Sequence, residues 1–320
     1  MKIILAGGTG QVGHVLLRHW TRASHECVVL TRNQTTFAPP AATLPIRAVA
    51  WDGRTLGPWT AELEGADLVV NLAGRSVNCR YTEANLKRMM ASRVESTRVL
   101  GDAIARAHTP PKLWLQAGTA TIYAHRYDAT NDEATGVIGG AEPGVPALWK
   151  RSVDIALAWE AALDAAPTPH TRKVALRSAM IMSPDRGGVF SAFATLCSLG
   201  MGAQGDGRQF VSWIHEYDFT AALDFIIANE TLSGAINLSA PQPLPNREFI
   251  AALHTALSRP FSVCVPAWVL EVGAFFHRTE TELLLKSRRV IPARLLAAGF
   301  NFQFPAWPAA ATDLARRWRA

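Results

Sequence analysis

Short, uninterrupted apolar runs punctuate the first half of the chain. IILA, ECVVLT, IRAVAW, LVVNLA and KLWLQAG each have the length of a strand. Between them, apolar residues fall at helical spacing, notably in GHVLLRHWTRA and in the long TEANLKRMMASRVESTRVLGDAIARA, where Thr82 stands ready to cap. Strands that are apolar at every position need cover on both faces. The alternation therefore predicts right-handed strand–helix–strand crossovers and a doubly wound parallel sheet, an α/β fold. After residue 165 the pattern loosens. KVALRSAMIM and AINLSA (235–240) read as further core strands, but the helical segments around them no longer alternate regularly with strands. The expected organisation is a first, α/β domain over residues 1–182, with a further core strand near 235–240. Residues 183–320 would form a smaller C-terminal substrate lobe.

The first strand runs into GGTGQVG, which places Gly7, Gly10 and Gly13 at three-residue intervals. A glycine pattern alone is a weak signal, but this one follows a predicted strand and opens a predicted helix, the context that makes the sheet Rossmann-type. Gly7 would allow the tight turn, Gly10 the approach of a pyrophosphate, and Gly13 close helix–strand packing. Thr9, Gln11 and Val12 fill the loop, and the helix N-terminus offers free N–H groups to phosphates. The second strand ends in Thr31 and Arg32 rather than an acid, which favours a 2′-phosphate and hence NADP(H) over NAD(H). Asp52, ending the third strand, can accept from the adenine amino group. Leu72, Ala73 and Gly74, after Asn71 in NLAG, would give backbone contacts along the cofactor.

Composition narrows the class. Of 320 residues, 49% are hydrophobic and 18% charged, which suits a well-buried globular chain. The apolar run of MKIILAGGTG is shorter than a signal-peptide core, and no segment approaches the roughly 18 apolar residues of a membrane span. The expectation is a soluble cytoplasmic protein with no membrane partner. The net charge of +6 is concentrated in KSRR (286–289) and RRWR (316–319), without any nucleic-acid recognition motif, so no nucleic-acid partner is expected. Four cysteines lack any C-x-x-C pair, and Cys27 and Cys264 sit in apolar runs. Buried free thiols are expected, and no metal site. No motif specifies an oligomeric state.

These features resemble the extended or atypical short-chain dehydrogenase/reductases. YTEANLKRMMASRVESTR after NLAG, then GDGRQFVSWIHEYDF, AINLSAPQPLPNREF and LLLKSRRVIPARLLAAGFNFQFP, narrow the resemblance. Together they are similar to the YfcH-like epimerase family, which ends in a C-terminal segment of unknown function, here about 265–315. The resemblance implies NADP(H) binding but no particular substrate. It places Thr31 and Arg32 at the 2′-phosphate, Leu72 and Ala73 at the strand end, Arg93 beneath the cofactor, and Ile181 in the turn near the nicotinamide.

Reductases of this superfamily use a Tyr-x-x-x-Lys pair and an upstream hydroxyl, with the tyrosine moving a proton as hydride moves. The four tyrosines here, at 81, 123, 127 and 217, are followed four residues later by Asn85, Tyr127, Asn131 and Ala221. In PALWKRSVDIALAWEAAL, the helix where the pair belongs, Trp149 and Val153 align with its two positions. Gly118 stands at the serine position. Tyr123 and Thr119, after the fifth strand, are the replacement candidates for catalysis, with His125, Asp128, Asp132 and Glu133 in the adjoining polar loop. Arg208 and Gln209, with His215 and Asp218 nearby, are candidates to face a small substrate, anionic or hydroxyl-rich. Two readings stay open: an NADP(H)-dependent oxidoreductase or epimerase with a different proton donor, or a non-catalytic NADP(H)-binding redox sensor or interaction module.

Overall fold

The apolar runs form β1 (Lys2–Ala6), β2 (Glu26–Thr31), β3 (Ile46–Ala50), β4 (Leu68–Asn71), β5 (Leu113–Ala117) and β6 (Arg172–Ser178). Four short strands follow: β7 (Met180–Met182), β8 (Met201–Gln204), β9 (Phe210–Val211) and β10 (Trp213–His215). After them come β11 (Gly234–Leu238), β12 (Leu244–Pro245) and β13 (Val263–Val265). The computed structural model describes residues 1–39, 45–276 and 280–320. Seven strands make one parallel sheet in the order β11–β6–β5–β4–β1–β2–β3. Leu5 lies opposite both Val29 and Val70 in this register. The chain order reverses between β1 and β4, and such a switch point opens a crevice at the C-terminal ends of the strands.

The helices are α1 (Gln11–Arg22), α2 (Glu83–Arg106), α3 (Ala147–Asp164), α4 (Val189–Ser198) and α5 (Glu216–Ala228). They continue as α6 (Asn246–Ala256), α7 (Ala267–Phe276), α8 (Glu282–Leu285), α9 (Ala293–Ala297) and α10 (Trp307–Arg319). The period-2 alternation of β1 explains the two-sided cover. Ile3 and Leu5 pack with Leu16, Trp20 and Phe219 on one face, while Ile4 and Ala6 pack with Leu100, Ile104 and Trp114 on the other. Thr82 caps α2 by accepting from the Asn85 N–H at 3.2 Å. A separate core joins α4, α6 and α10 through Phe190, Phe249, Leu253 and Trp307. Packing does not break at residue 182, because α5, Leu295 of α9 and Phe300 belong to the core beneath the sheet.

Cys27 and Cys197 are buried free thiols, pushed by burial up to about 11 and about 12. Cys264 differs from expectation. It is exposed, because β13 pairs with the short β8 and not with the large sheet. Among the described residues, no helix is long and apolar enough to cross a membrane, and no cluster of His, Cys, Asp and Glu could hold a metal.

Candidate functional site

Three glycines shape the turn from β1 into α1. Gly7 adopts φ +76°, and a Cβ there would come within 2.8 Å of the Ala73 Cα, so the loop closes against the end of β4. At Gly13 a Cβ would stand 2.1 Å from the Gly8 carbonyl oxygen, so no side chain fits. Gly10 has nothing within 4 Å of that position. It caps α1 without a side-chain partner, and the first turn holds no acid. Free N–H groups and the positive end of the helix dipole therefore face open space, an arrangement suited to a phosphate. Thr9 is exposed, Val12 packs on the core, and Gln11 donates from Nε2 to Ser183 Oγ at 3.2 Å.

Beyond β2, the buried Thr31 accepts through its hydroxyl from the Asn33 N–H at 3.2 Å. Arg32 is exposed and lines a cleft of about 410 Å³ with Trp51, Asp52, Pro58 and Trp59. Asp52 accepts from the Thr55 and Arg54 N–H groups, at 2.9 and 2.8 Å, and from the Thr55 hydroxyl at 2.7 Å. These bonds, those of Thr55 first, hold its carboxyl below the usual range. After β4, the fully buried Asn71 accepts from the Ala73 N–H at 3.0 Å and donates to Gln116 Oε1 at 3.0 Å. Leu72 donates its N–H to the Ala6 carbonyl at 2.8 Å. The turn through Leu72, Ala73 and Gly74 is thereby fixed, with Gly74 lying against the Arg93 guanidinium.

A second cavity, of about 250 Å³, lies between α2, α3 and the end of β5. Its polar wall holds Arg93, Thr119, Thr121, Tyr81, Ser152 and Glu282. Arg93 donates to the Met89 and Arg75 carbonyls, at 3.1 and 3.2 Å, and its guanidinium lies 5.0 Å from the centroid of the Trp159 ring. Among the described residues no carboxylate comes within ion-pair range of it, and burial lowers its pKa without making an arginine neutral. Thr119 accepts through its hydroxyl from the Thr121 N–H at 3.1 Å. A Cβ on Gly118 would press within 3.0 Å of the Leu176 carbonyl, and the hydroxyls of this wall stand just downstream at Thr119 and Thr121.

The face that α3 turns to the cavity carries Ser152, Ile155, Ala156 and Trp159, a helical stripe at i, i+3, i+4 and i+7. The expected register is displaced. Trp149 packs on His125, with ring centroids 5.3 Å apart, and Val153 is buried off this face. Four-residue spacing on the cavity face falls at Ser152–Ala156 and Ile155–Trp159, so neither tyrosine nor lysine occupies it.

Residues 280–288 close this wall. Ser152 Oγ donates to Glu282 Oε2 at 2.5 Å, and Ser152 also neighbours the Tyr81 hydroxyl, which burial pushes up to about 12. Glu280 accepts from the Tyr81 backbone N–H at 2.8 Å. Lys286 donates to the Thr121 carbonyl at 2.8 Å, and Arg288 to its hydroxyl at 3.2 Å. Burial lowers the Lys286 ammonium to about 8 and raises the Glu282 carboxyl above the usual range.

Several expected residues lie outside the cavity wall. Tyr123 is 1% exposed, and its hydroxyl donates to Asn237 Oδ1 and accepts from Arg177, each at 2.9 Å. His215 caps α5, accepting at Nδ1 from the Tyr217 N–H and meeting Asp313 at Nε2, and is lowered by burial to about 4. Asp218 accepts from the Gln303 and Phe304 N–H groups. Arg208 is exposed, with its guanidinium 5.8 Å from the centroid of the Tyr127 ring. Gln209 is buried and donates to the Gln204 and Leu284 carbonyls. Ile181, in β7 just beyond β6, packs against the sheet core.

A model of the NAD dependent epimerase/dehydratase family matches residues 3–239. The chain belongs to that family. Residues 265–314 match a domain of unknown function, DUF1731. Epimerase family protein SDR39U1 of Bos taurus is 32% identical over 98% of this chain and 99% of its own length. YfhF of Bacillus subtilis is 27% identical over 95% and 94%. The crystal structure of human SDR39U1 (isoform 2) with NADPH superposes with a TM-score of 0.83, at 30% identity and 99% coverage of both chains. A UDP-N-acetylglucosamine 4-epimerase of Methanobrevibacter ruminantium shares the fold alone, with a TM-score of 0.72 at 12% identity over 99% and 98%.

Ser152, Glu282 and Tyr81 escape a motif search for different reasons. The stripe Ser152–Ala156–Trp159 is readable as one helix face, but which face meets the cavity is not. Tyr81 fails the tyrosine–lysine test because Asn85 follows it. Glu282 lies 130 residues after the serine it contacts, beyond any local pattern.

Proposed function

We propose that this family member binds NADP(H) along the crevice and reduces or oxidises a small anionic carbonyl or hydroxyl compound in the cavity beside β5. The observation that carries the substrate class is Arg93, expected beneath the cofactor: it lines the cavity as a cation without a carboxylate partner among the described residues, on a wall shared with the hydroxyls of Thr119, Thr121, Ser152 and Tyr81. A bound carboxylate would complete that arrangement, and Thr119 on the same wall would orient a substrate oxygen. NADPH bound to the human relative supports the cofactor, as do the open backbone at Gly10 and the basic, aromatic cleft at Arg32. Bound there, the nicotinamide would supply the hydride. Gly7, Gly10, Gly13 and the start of α1 would hold the pyrophosphate, Thr31 and Arg32 the 2′-phosphate, and Leu72, Ala73 and Gly74 the adjoining ribose.

One observation favours the second reading, binding without turnover: the cavity face of α3 holds neither tyrosine nor lysine. Fluorescence titration with NADPH and NADH, followed by NADPH oxidation against a panel of 2-oxo acids, separates the readings. Arg32→Asp should weaken NADPH about tenfold or more while leaving NADH nearly unchanged. Equal losses for both would reject the 2′-phosphate role. Tight NADPH binding with no turnover on any acid of the panel would favour the sensor.

A further inference from the structure

Adding hydride to a carbonyl carbon moves the π electrons onto oxygen, and that oxygen needs a proton. The cavity wall holds one phenol, Tyr81, and Ser152 stands on the α3 face where the usual pair is missing. Ser152 borders the Tyr81 hydroxyl on one side and lies 2.5 Å from Glu282 on the other. Glu282 is 1% exposed and its Oε1 has no hydrogen-bond partner. Lys286 Nζ, 3.8 Å away, is in ion-pair range but too far to hydrogen-bond. A buried carboxylate with one oxygen unsatisfied is costly, so burial raises the pKa of Glu282, with Arg288 and Lys286 opposing the rise. Glu280, from the same segment, pins the Tyr81 backbone.

Resting on the oxidoreductase reading above, we propose that Tyr81 donates the proton in this cavity and that Glu282, acting through Ser152, restores it. Tyr81 O–H breaks as the new substrate O–H forms. With Glu282 protonated, its O–H donates across the 2.5 Å contact to Ser152 Oγ, so Ser152 passes its own proton to the Tyr81 oxygen and takes the Glu282 proton in return. Three O–H bonds break and three form, and Glu282 is left as a carboxylate facing Lys286 and Arg288 until water entering the emptied cavity reprotonates it. This assigns a task to the C-terminal segment: it brings the acid that α3 lacks.

The test begins with the full chain free of cofactor. Carboxyl ¹³C NMR identifies Glu282 as the resonance that Glu282→Gln removes. The relay requires it to titrate above the ordinary glutamate value of about 4.3, and its midpoint to move in both Tyr81→Phe and Ser152→Ala. The charged and titratable groups facing it are Tyr81, Glu280, Lys286 and Arg288. An ordinary midpoint that neither variant moves overturns the relay. NADPH fluorescence titration keeps the two readings apart: a wild type that fails to bind NADPH removes the cofactor reading, while the carboxyl titration still decides the coupling. In NADPH oxidation with 2-oxo acids, Tyr81→Phe should lose about 10²–10⁴-fold in kcat at unchanged NADPH affinity. Wild-type kcat should fall as pH rises through the Glu282 midpoint, and Glu282→Gln should remove that fall. Tyr81→Phe turnover within threefold of wild type overturns the proposal.

Discussion

The two ends of the crevice are built on different principles. At the β1–α1 turn the site is backbone: residues 7–13 run from the loop into the first turn of α1, and what matters is the absence of side chains at Gly7, Gly10 and Gly13. At the cavity the site is side chains, drawn from positions as far apart as Tyr81 and Glu282. A backbone site has little room to vary, because its geometry is set by one turn. A side-chain site can receive the same chemical group from another element, so a cavity face of α3 without tyrosine or lysine leaves room for that group to come from elsewhere.

The sharpest break of this comparison lies within the glycine loop itself. Gly13→Val forces a side chain into the Gly8 carbonyl, so the variant should lose about 1–3 kcal/mol or more of stability to overpacking and at least about a hundredfold in NADPH affinity. Gly10→Ala, with open space around it, should leave stability within about 0.5 kcal/mol and weaken NADPH alone. Denaturant melts and fluorescence titration of both variants read the contrast. Equal destabilisation by the two would show that the loop is not shaped by close packing at Gly13.

That contrast also explains what the sequence discloses. A strand, three spaced glycines and a helix are contiguous, so the loop, the sheet and the ends of β2 and β4 are legible in order along the chain. Two exposed-looking polar segments mislead for one reason: burial is tertiary. Tyr123 follows β5 as a cavity residue would, yet Asn237 and Arg177 hold its hydroxyl in the interior. Gln209 lies in a glycine-flanked loop but is folded under the C-terminal segment by the Leu284 carbonyl. Conversely, ELLLKSRR looks like a basic surface run, while Lys286 and Arg288 are among the buried residues.

The next test compares two tyrosines of unlike duty. Tyr123→Phe leaves Asn237 and Arg177 without their shared hydroxyl, at a cost of about 1–3 kcal/mol for unsatisfied buried groups, and should leave kcat unchanged. Tyr81→Phe should do the reverse, with small loss of stability and large loss of turnover. If Tyr123→Phe removed turnover at intact NADPH affinity, the interior network and not the cavity wall would carry the proton.

The smallest effect is a slope. Glu282 has its folded-state pKa raised, chiefly by burial, with Arg288 and Lys286 opposing the rise. Between the unfolded value and that raised value, the native chain holds one proton more than the unfolded chain, so stability falls as pH rises through the window. Below the unfolded value both states are protonated and nothing is lost. Glutamine cannot ionise, so Glu282→Gln should gain on wild type steadily as pH climbs from about 4. Lys286, lowered to about 8, acts in the opposite sense: stability rises as pH climbs from there toward the unfolded lysine value. Melts taken below pH 7 therefore keep its contribution out. Parallel stability curves for the two chains would mean that Glu282 ionises as freely in the fold as in water. The cavity end would then carry no cost of its own, and its difference from the glycine loop would reduce to the number of elements that build it.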